Sequence, residues 1–353
     1  MKTSALDYDL PEELIAQVGV EPRDASRLLV IYRETGELEH RIFREIGDYL
    51  RPGDLLVANE SRVIPARLFA RKVPTGGRVE ILLLRRIEEG RWRGLMGGAR
   101  TRVGTRVRLF KGDEPTEIEA EVVEVGGRGE RVLAFSEPLA PHLDDLGAVP
   151  LPPYIHEELK DPERYQTVYA QTPGSAAAPT AGLHFTPALM LELREAGVKF
   201  AFVTLHVGLD TFRPIEEETV EGHEIHSEWA RLSPHVAEQI NQTKVRGGRV
   251  IAVGTTSMRV LETAARSGLF QSETESCPWR AVAPYEGFTD LYITPGFEFR
   301  VVDALITNFH LPRSSLLALV MAFAGVDLVR KAYVTAIEKR YRFYSLGDAC
   351  LFL

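Results

Sequence analysis

Short, unbroken apolar runs open the pattern. "LLVIY" (28–32) and "DLLVA" (54–58) have the length and continuity of strands buried on both faces. Between them "HRIFREIGDYLRPGD" (40–54) predicts a helix stopped at Pro52-Gly53. From residue 61 the texture changes. "RVEILLLRRI", "GRWRGLM", "GTRVRLF", "EIEAEVVEV" and "ERVLAF" are strand-length pieces parted by Gly-containing turns, a pattern suited to a small β-barrel or sandwich. Three prolines in "LGAVPLPPYI" close this stretch near residue 150.

Beyond it the rhythm becomes strand, loop, helix. "VKFAFVTLHV" predicts a strand, and "SPHVAEQINQTKVRGG" a helix with Ser233 and Pro234 at its start. "RVIAVGTTSMRVLETAARSG" and "VDALITNFHLPRSSLLALVMAFAG" each predict a strand, a turn and a helix, and "VDLVRKAYVTAIEKRYRF" a last helix. Alternating β and α units imply a largely parallel sheet, open or closed into a barrel. Because apolar strands precede the β-rich stretch, that stretch (61–150) reads as an insertion into an α/β domain formed by 1–60 and 151–353.

Composition changes little in this picture. No segment approaches the ~20 apolar residues of a membrane span, and the N-terminus carries acids where a signal peptide needs an apolar core, so a cytoplasmic protein is expected. Two cysteines, Cys277 and Cys350, form no metal or redox spacing. Charge distribution says more than net charge. Arg62 to Lys111 holds 14 Lys or Arg against three acids, a local net of +11, which leaves −19 to the rest of a chain whose total is −8. Such asymmetry fits one face built for a polyanion; alternating Arg on the wet face of a sheet is the plainer explanation.

In parallel α/β folds ligands collect at the carboxyl ends of strands. Three unusual segments fall there: "LHVGLDTFRP" (205–214), "VGTTSMR" (253–259) and "ITNFHLP" (306–312). Thr255, Thr256 and Ser257 stand at a strand-to-helix junction, where free amides and hydroxyls bind an anion or a sugar, or simply cap the helix. Asn308, Phe309 and His310 suit a flat heterocycle, or else a core Phe beside a surface His. "EGHEIHSEW" (221–229) gathers His223, His226 and Glu228, but its spacing matches no familiar metalloprotease helix, and no metal is expected. "GSAAAPTAGLHFT" (174–186) is either a linker or a backbone packed closely against a ligand; its His184 and the company of the other segments favour the ligand.

Read together, "GSAAAPTAGLHFT", "FVTLHVGLDTFRP", "VIAVGTTSMRVLE" and "DALITNFHLPRSSL" resemble the S-adenosylmethionine:tRNA ribosyltransferase-isomerases of queuosine biosynthesis. "RVIPARL", "LPPYI", "YQTVYAQ", "HEIHSEW" and "YRFYSLGDA" extend the resemblance over nearly the whole chain. Asp210 departs from it, standing where Gly is more usual, and "NESRV" replaces Asn-x-Thr-Arg-Val. The resemblance implies an irregular α/β (TIM-like) barrel domain with an inserted small β-barrel domain. It also implies ribosyl transfer and isomerisation from S-adenosylmethionine onto 7-aminomethyl-7-deazaguanine at the wobble position of tRNA, releasing adenine and methionine. S-adenosylmethionine would be a substrate; no cofactor and no membrane partner is expected, and the protein would act as a monomer. A conventional S-adenosylmethionine-dependent RNA methyltransferase is the alternative, though no strand is followed by the glycine-rich turn that usually binds that donor.

Acid–base roles then fall to His184, His206, His226 and His310, with His206 or His226 as base and Asp303 or Glu228 in support. Thr180, Gly182, Thr255, Thr256, Ser257, Arg259 and Asn308 would hold substrate, and Phe185 and Phe309 would stack on a heterocycle. Arg62, Arg67, Arg71 and Lys72 would meet tRNA phosphates.

Overall fold

The computed structural model describes residues 1–97, 101–127, 129–208, 214–267 and 280–353. Asp210 and Cys277 lie outside the described residues. The chain divides into two compact units. The first comprises Met1–Ser61, Pro152–Thr172 and Ala178–Leu353; the second comprises Arg62–Leu151 and Pro173–Ala177.

In chain order, β1 (Arg27–Ile31), β2 (Leu38–Ile42) and β3 (Leu55–Asn59) come first. Then follow β4 (Ser61–Val63), β5 (Arg67–Val73), β6 (Arg78–Glu88), β7 (Arg91–Met96), β8 (Arg106–Lys111), β9 (Glu114–Val125), β10 (Glu130–Phe135), the short helix α1 (Leu143–Leu146) and β11 (Gly147–Ala148). The remainder runs β12 (Thr172–Ser175), α2 (Pro187–Glu195), β13 (Lys199–Leu205), β14 (Glu228–Leu232), α3 (Pro234–Val245) and β15 (Val250–Val253). It ends with α4 (Thr255–Arg266), β16 (Tyr285–Thr289), β17 (Ala304–Asn308), α5 (Ser315–Ala324), α6 (Val326–Glu338) and β18 (Ala349–Phe352).

The first unit is built on a nine-stranded sheet in the order β16-β14-β13-β3-β15-β17-β18-β1-β2. Every residue of β3, β15, β17 and β18 is buried, as strands covered on both faces must be. Leu56, Ala58, Ile251, Val253, Ala304 and Ile306 pack with Phe43, Phe185, Leu189 and Leu193 in one core. Each fully buried aliphatic side chain there contributes roughly 1.5–3 kcal/mol of transfer free energy. Local caps set the helix starts: Thr186, Ser233 and Ser314 each accept a hydrogen bond from the third backbone N–H of the helix that follows.

A mixed α/β unit was expected and is found; the irregular TIM-like barrel expected with it gives way to a nine-stranded sheet of mixed direction. Pairs β13–β3, β3–β15, β15–β17 and β18–β1 are parallel. Pairs β16–β14, β14–β13, β17–β18 and β1–β2 are antiparallel. The C-terminal strand β18 slots between β17 and β1, where a repeating strand–helix barrel would place another parallel neighbour. The helix expected over 40–54 is also replaced. Residues 38–42 pair with β1 as a hairpin, and Phe43–Tyr49 make a 3₁₀ segment. The Phe43 and Ile46 side chains are fully buried in the core just described, so tertiary burial outweighs local helical pattern.

The second unit is a closed antiparallel barrel, β5-β6-β7-β10-β9-β8, with β8 returning to β5 and β11 pairing ahead of it on the same edge of β5. Buried and wet residues alternate along β5, β7 and β8, the period-two signature of a strand with one face inward. Leu68, Ala70, Ile81, Leu83, Val107, Leu109, Val122 and Leu133 fill the interior.

Candidate active site

At the carboxyl ends of β15 and β17 the first unit opens into a cleft, the place where parallel α/β folds collect ligands. Its wall carries Thr180 and Ala181 from the small-residue segment, Thr255 and Thr256 after β15, Asn308 at the end of β17 and His310 beyond it. Gly254 makes the turn between β15 and α4. Its φ of +92° is open to glycine, and its amide donates to the Ile306 carbonyl (2.7 Å). No side chain caps α4 at Gly254, so the first-turn amides of a 12-residue helix face the cleft region. The Thr256 hydroxyl is buried with no hydrogen-bond partner among the described residues.

His310 is 9% exposed and lines the cleft. Its peptide is gripped from both sides: the N–H donates to the Tyr333 hydroxyl (2.9 Å), and the carbonyl accepts from the Tyr8 hydroxyl. Nε2 bonds the Thr307 hydroxyl (2.8 Å), which leaves Nδ1 without a partner among the described residues. Burial lowers its pKa to about 3, so the ring is neutral at physiological pH.

His184 sits behind the wall. Nδ1 meets the Ser26 hydroxyl (2.7 Å), Nε2 meets the Asn308 amide (3.2 Å), and the ring stacks on Phe43. Asn308 also donates to the Tyr344 carbonyl (3.2 Å) and accepts from the Thr180 hydroxyl (3.1 Å). With both nitrogens engaged, His184 orients Asn308 and, through it, Thr180. Burial, then the Arg342 and Arg23 charges, lower its pKa to about 3.

His206 shows a third arrangement. Its ring stacks on Trp229, and Nδ1 faces the Ser61 hydroxyl (3.3 Å), which itself donates to the Leu205 carbonyl (2.7 Å). That chain makes Nδ1 the protonated nitrogen and leaves Nε2 as the basic one. Burial lowers its pKa to about 4.

The remaining expected site residues divide. Glu228 pairs with Arg259, both 7% exposed or less by side chain, and its other oxygen accepts from the Gly208 amide (2.9 Å). Ser257 turns inward to the Val253 carbonyl (2.8 Å). Phe185 and Phe309 are buried among other aromatic rings, and Phe309 also borders the cleft. Tyr154 and Tyr344 stand in the cleft wall instead, with ring centroids 4.8 Å apart, beside Ser345. The signal for them was present in "LPPYI" and "YRFYSLGDA", where a Tyr sits outside any regular pattern. Gly182 is required by packing: a Cβ there would lie 2.0 Å from the Tyr169 hydroxyl. Asp303 is at the amino end of β17, held by Lys244 (2.7 Å) and the Val250 amide (2.7 Å), five residues of strand from the cleft. His226 is exposed, and His223 bonds Glu217 (3.0 Å). Among the described residues no group of three or more His, Cys, Asp or Glu is placed to hold a metal, and no helix is long and apolar enough to cross a membrane. Arg62, Arg67, Arg71 and Lys72 belong to the second unit, on β4 and β5.

The sequence matches the family described as "Queuosine biosynthesis protein" over residues 3–352. The chain belongs to this family. It is 53% identical over 354 residues to the S-adenosylmethionine:tRNA ribosyltransferase-isomerase of Dehalococcoides mccartyi, and 52% identical over 354 residues to that of Thermotoga maritima, covering 100% of each chain in both cases. The fold is similar to the crystal structure of the S-adenosylmethionine tRNA ribosyltransferase from Thermotoga maritima, with a TM-score of 0.56 and 42% identity over 99% of this chain and 100% of that one.

For this family member the three depressed imidazoles make a testable signature. An unfolded histidine takes up its proton near pH 6.5, whereas folded His184, His206 and His310 resist until about 3, 4 and 3. The unfolded state therefore binds protons first. Their contribution to stability is complete above pH 6.5 and is lost as pH falls from there toward 4, at up to roughly 1.4 kcal/mol per pH unit for each group. Denaturant midpoints measured from pH 7.5 to 4.5 are expected to fall steeply below 6.5, and less steeply in His184→Phe. A flat profile across that window would contradict the assigned neutral rings.

Proposed function

We propose that the cleft binds S-adenosylmethionine, and that the chain transfers and isomerises its ribosyl moiety onto 7-aminomethyl-7-deazaguanine at the wobble position of tRNA. The products are epoxyqueuosine in tRNA, adenine and methionine. The chain is a transferase and isomerase of queuosine biosynthesis. The observation that carries the placement is the convergence of Thr180, Thr255, Thr256, Asn308 and His310, from three distant segments, on one cleft.

The α4 N-terminus and the unpartnered Thr256 hydroxyl suit the methionine carboxylate, since free amides and a hydroxyl donor favour an anion. Tyr154 and Tyr344 offer flat faces to adenine or deazaguanine. His310 is the proton acceptor. The sulfonium acidifies the ribose methylene bonded to sulfur, and Nδ1 takes that proton to give a neutral ylide and an imidazolium. Positive charge passes from sulfur to the ring, so the total charge in the cleft does not change. Burial opposes protonation by solvent, but here a cation is already present before the transfer, which reduces that penalty.

The test combines purified protein, S-adenosylmethionine and tRNA bearing 7-aminomethyl-7-deazaguanine, with mass spectrometry of all products. Adenine, methionine and an epoxycyclopentane-modified nucleoside are expected together. S-adenosylhomocysteine with a methylated nucleoside would overturn the proposal in favour of methyl transfer.

A further inference from the structure

The outer face of the second unit holds an arrangement that stability alone does not favour. Register places Arg78 of β6 opposite Arg71 of β5, and Arg71 opposite Arg108 of β8. Three like charges thus stand side by side across three strands, with inter-strand spacings of about 4.8 Å. Like charges directly opposite one another are destabilising. The neighbouring row along the same face is Glu80, Phe69 and Phe110, again in direct register. Phe69 is 45% exposed, a large apolar ring left in water on a charged surface. The Arg71 guanidinium lies 4.5 Å from the centre of the Phe110 ring.

Two of these arginines have carboxylate neighbours. Arg71 pairs with Asp113, whose side chain is 91% exposed; Arg108 pairs with Glu119 (2.7 Å), which is 18% exposed and also meets Arg106. An exposed pair such as Arg71–Asp113 is worth about 0–1 kcal/mol, so a phosphate can displace that carboxylate at little cost. A basic row beside exposed aromatic rings, on the outside of a small barrel, is what single-stranded nucleic acid needs: cations along the backbone and flat faces for unstacked bases.

We infer that the β6–β5–β8 face is an RNA-binding surface, on which Arg78, Arg71 and Arg108 contact successive phosphates and Phe69 stacks on an unpaired base. The inference rests on the tRNA reading of the function and names the surface for it; an anticodon loop supplies the unpaired bases. Of these residues only Arg71 was among the tRNA contacts expected from sequence; Phe69, Arg78 and Arg108 were not. Only the register brings Arg78 and Arg108, far apart in the chain, to either side of Arg71.

The experiment measures tRNA affinity of the full chain against salt, by filter binding or anisotropy, together with adenine release. Phe69→Ala is expected to weaken tRNA binding by roughly ten- to hundredfold, and Phe69→Tyr to restore it, because any aromatic face can stack. Phe69→Leu keeps the bulk without the π-face and should behave like Ala. The triple variant R71Q/R78Q/R108Q should reduce the slope of log affinity against log salt by about 2. Arg194→Gln with Arg246→Gln, exposed positions in the first unit, removes two charges elsewhere and should leave binding unchanged. Equal loss in that control would reduce the effect to net charge and overturn the inference. So would wild-type affinity in Phe69→Ala and the triple variant. A wild-type protein that binds tRNA on this face but releases no adenine would instead sink the proposed reaction and leave the surface standing.

Discussion

Replacing His310 by Gln is expected to reduce single-turnover adenine release by roughly 10²- to 10⁴-fold, the usual contribution of a positioned base. The fold should survive, because the imidazole's bond reaches only Thr307, three residues away, and the longer-range bonds are made by the backbone. The His310 peptide is fixed by the Tyr333 and Tyr8 hydroxyls, and both bonds are made by backbone atoms that Gln retains. Binding of S-adenosylmethionine, followed by calorimetry, should stay near wild type, since the carboxylate end is assigned to Thr256 and the start of α4. Exchange of the ribose methylene hydrogens with deuterated solvent reports the proton transfer itself, before any ribosyl group moves. That exchange should vanish in His310→Gln and persist at a reduced level in His184→Gln, where Asn308 and Thr180 lose only their orientation. If exchange continues unchanged in His310→Gln and disappears in His206→Gln, the base is His206, whose Nε2 is held basic by the Ser61 contact.

Arg259→Leu is expected to destabilise the first unit by about 3–5 kcal/mol, the cost of leaving one member of a buried ion pair without its partner. Glu228 is 7% exposed, and its second oxygen accepts from the Gly208 amide, so burial keeps the carboxylate largely away from water. Arg259 also donates to the Leu291 carbonyl (3.2 Å), which would lose its donor. The double variant R259L/E228L should recover much of the loss, since a buried pair replaced by apolar residues of similar size is often neutral. Denaturant midpoints of the wild type, both single variants and the double variant check this. A double variant no more stable than Arg259→Leu would show that the loss arises from altered packing of α4 and not from the stranded charge.

These two residues illustrate how far the sequence could be read. Both lie in motifs that single out the site, yet their roles differ because of partners far away in the chain. His310 was one of four candidate imidazoles, and His206 or His226 was the one expected as base. His310 is set apart by lining the cleft with a free Nδ1, while His184 spends both nitrogens on Ser26 and Asn308, 158 and 124 residues distant. Asp303 and Asn308 both belong to "DALITN", and pattern alone cannot say that one end of that strand meets Lys244 and the other the cleft.

What the sequence determined by itself was everything that depends on neighbours along the chain. Strand-length pieces parted by Gly-containing turns marked β6 to β10 as a small barrel or sandwich, continuous apolar runs marked β1 and β3 as buried strands, and Ser233 marked the start of α3. Backbone geometry and the two-residue or 3.6-residue period act locally, so they leave a local trace. The tertiary structure alone decided the order of the nine strands, including the insertion of β18 between β17 and β1. It also decided that residues 38–42 become a strand, that Phe185 and Phe309 point into the core, and that Arg71, Arg78 and Arg108 share one row. Those outcomes come from pairings over long separations and from competition for a limited buried volume, and no short window of sequence records which competitor prevails.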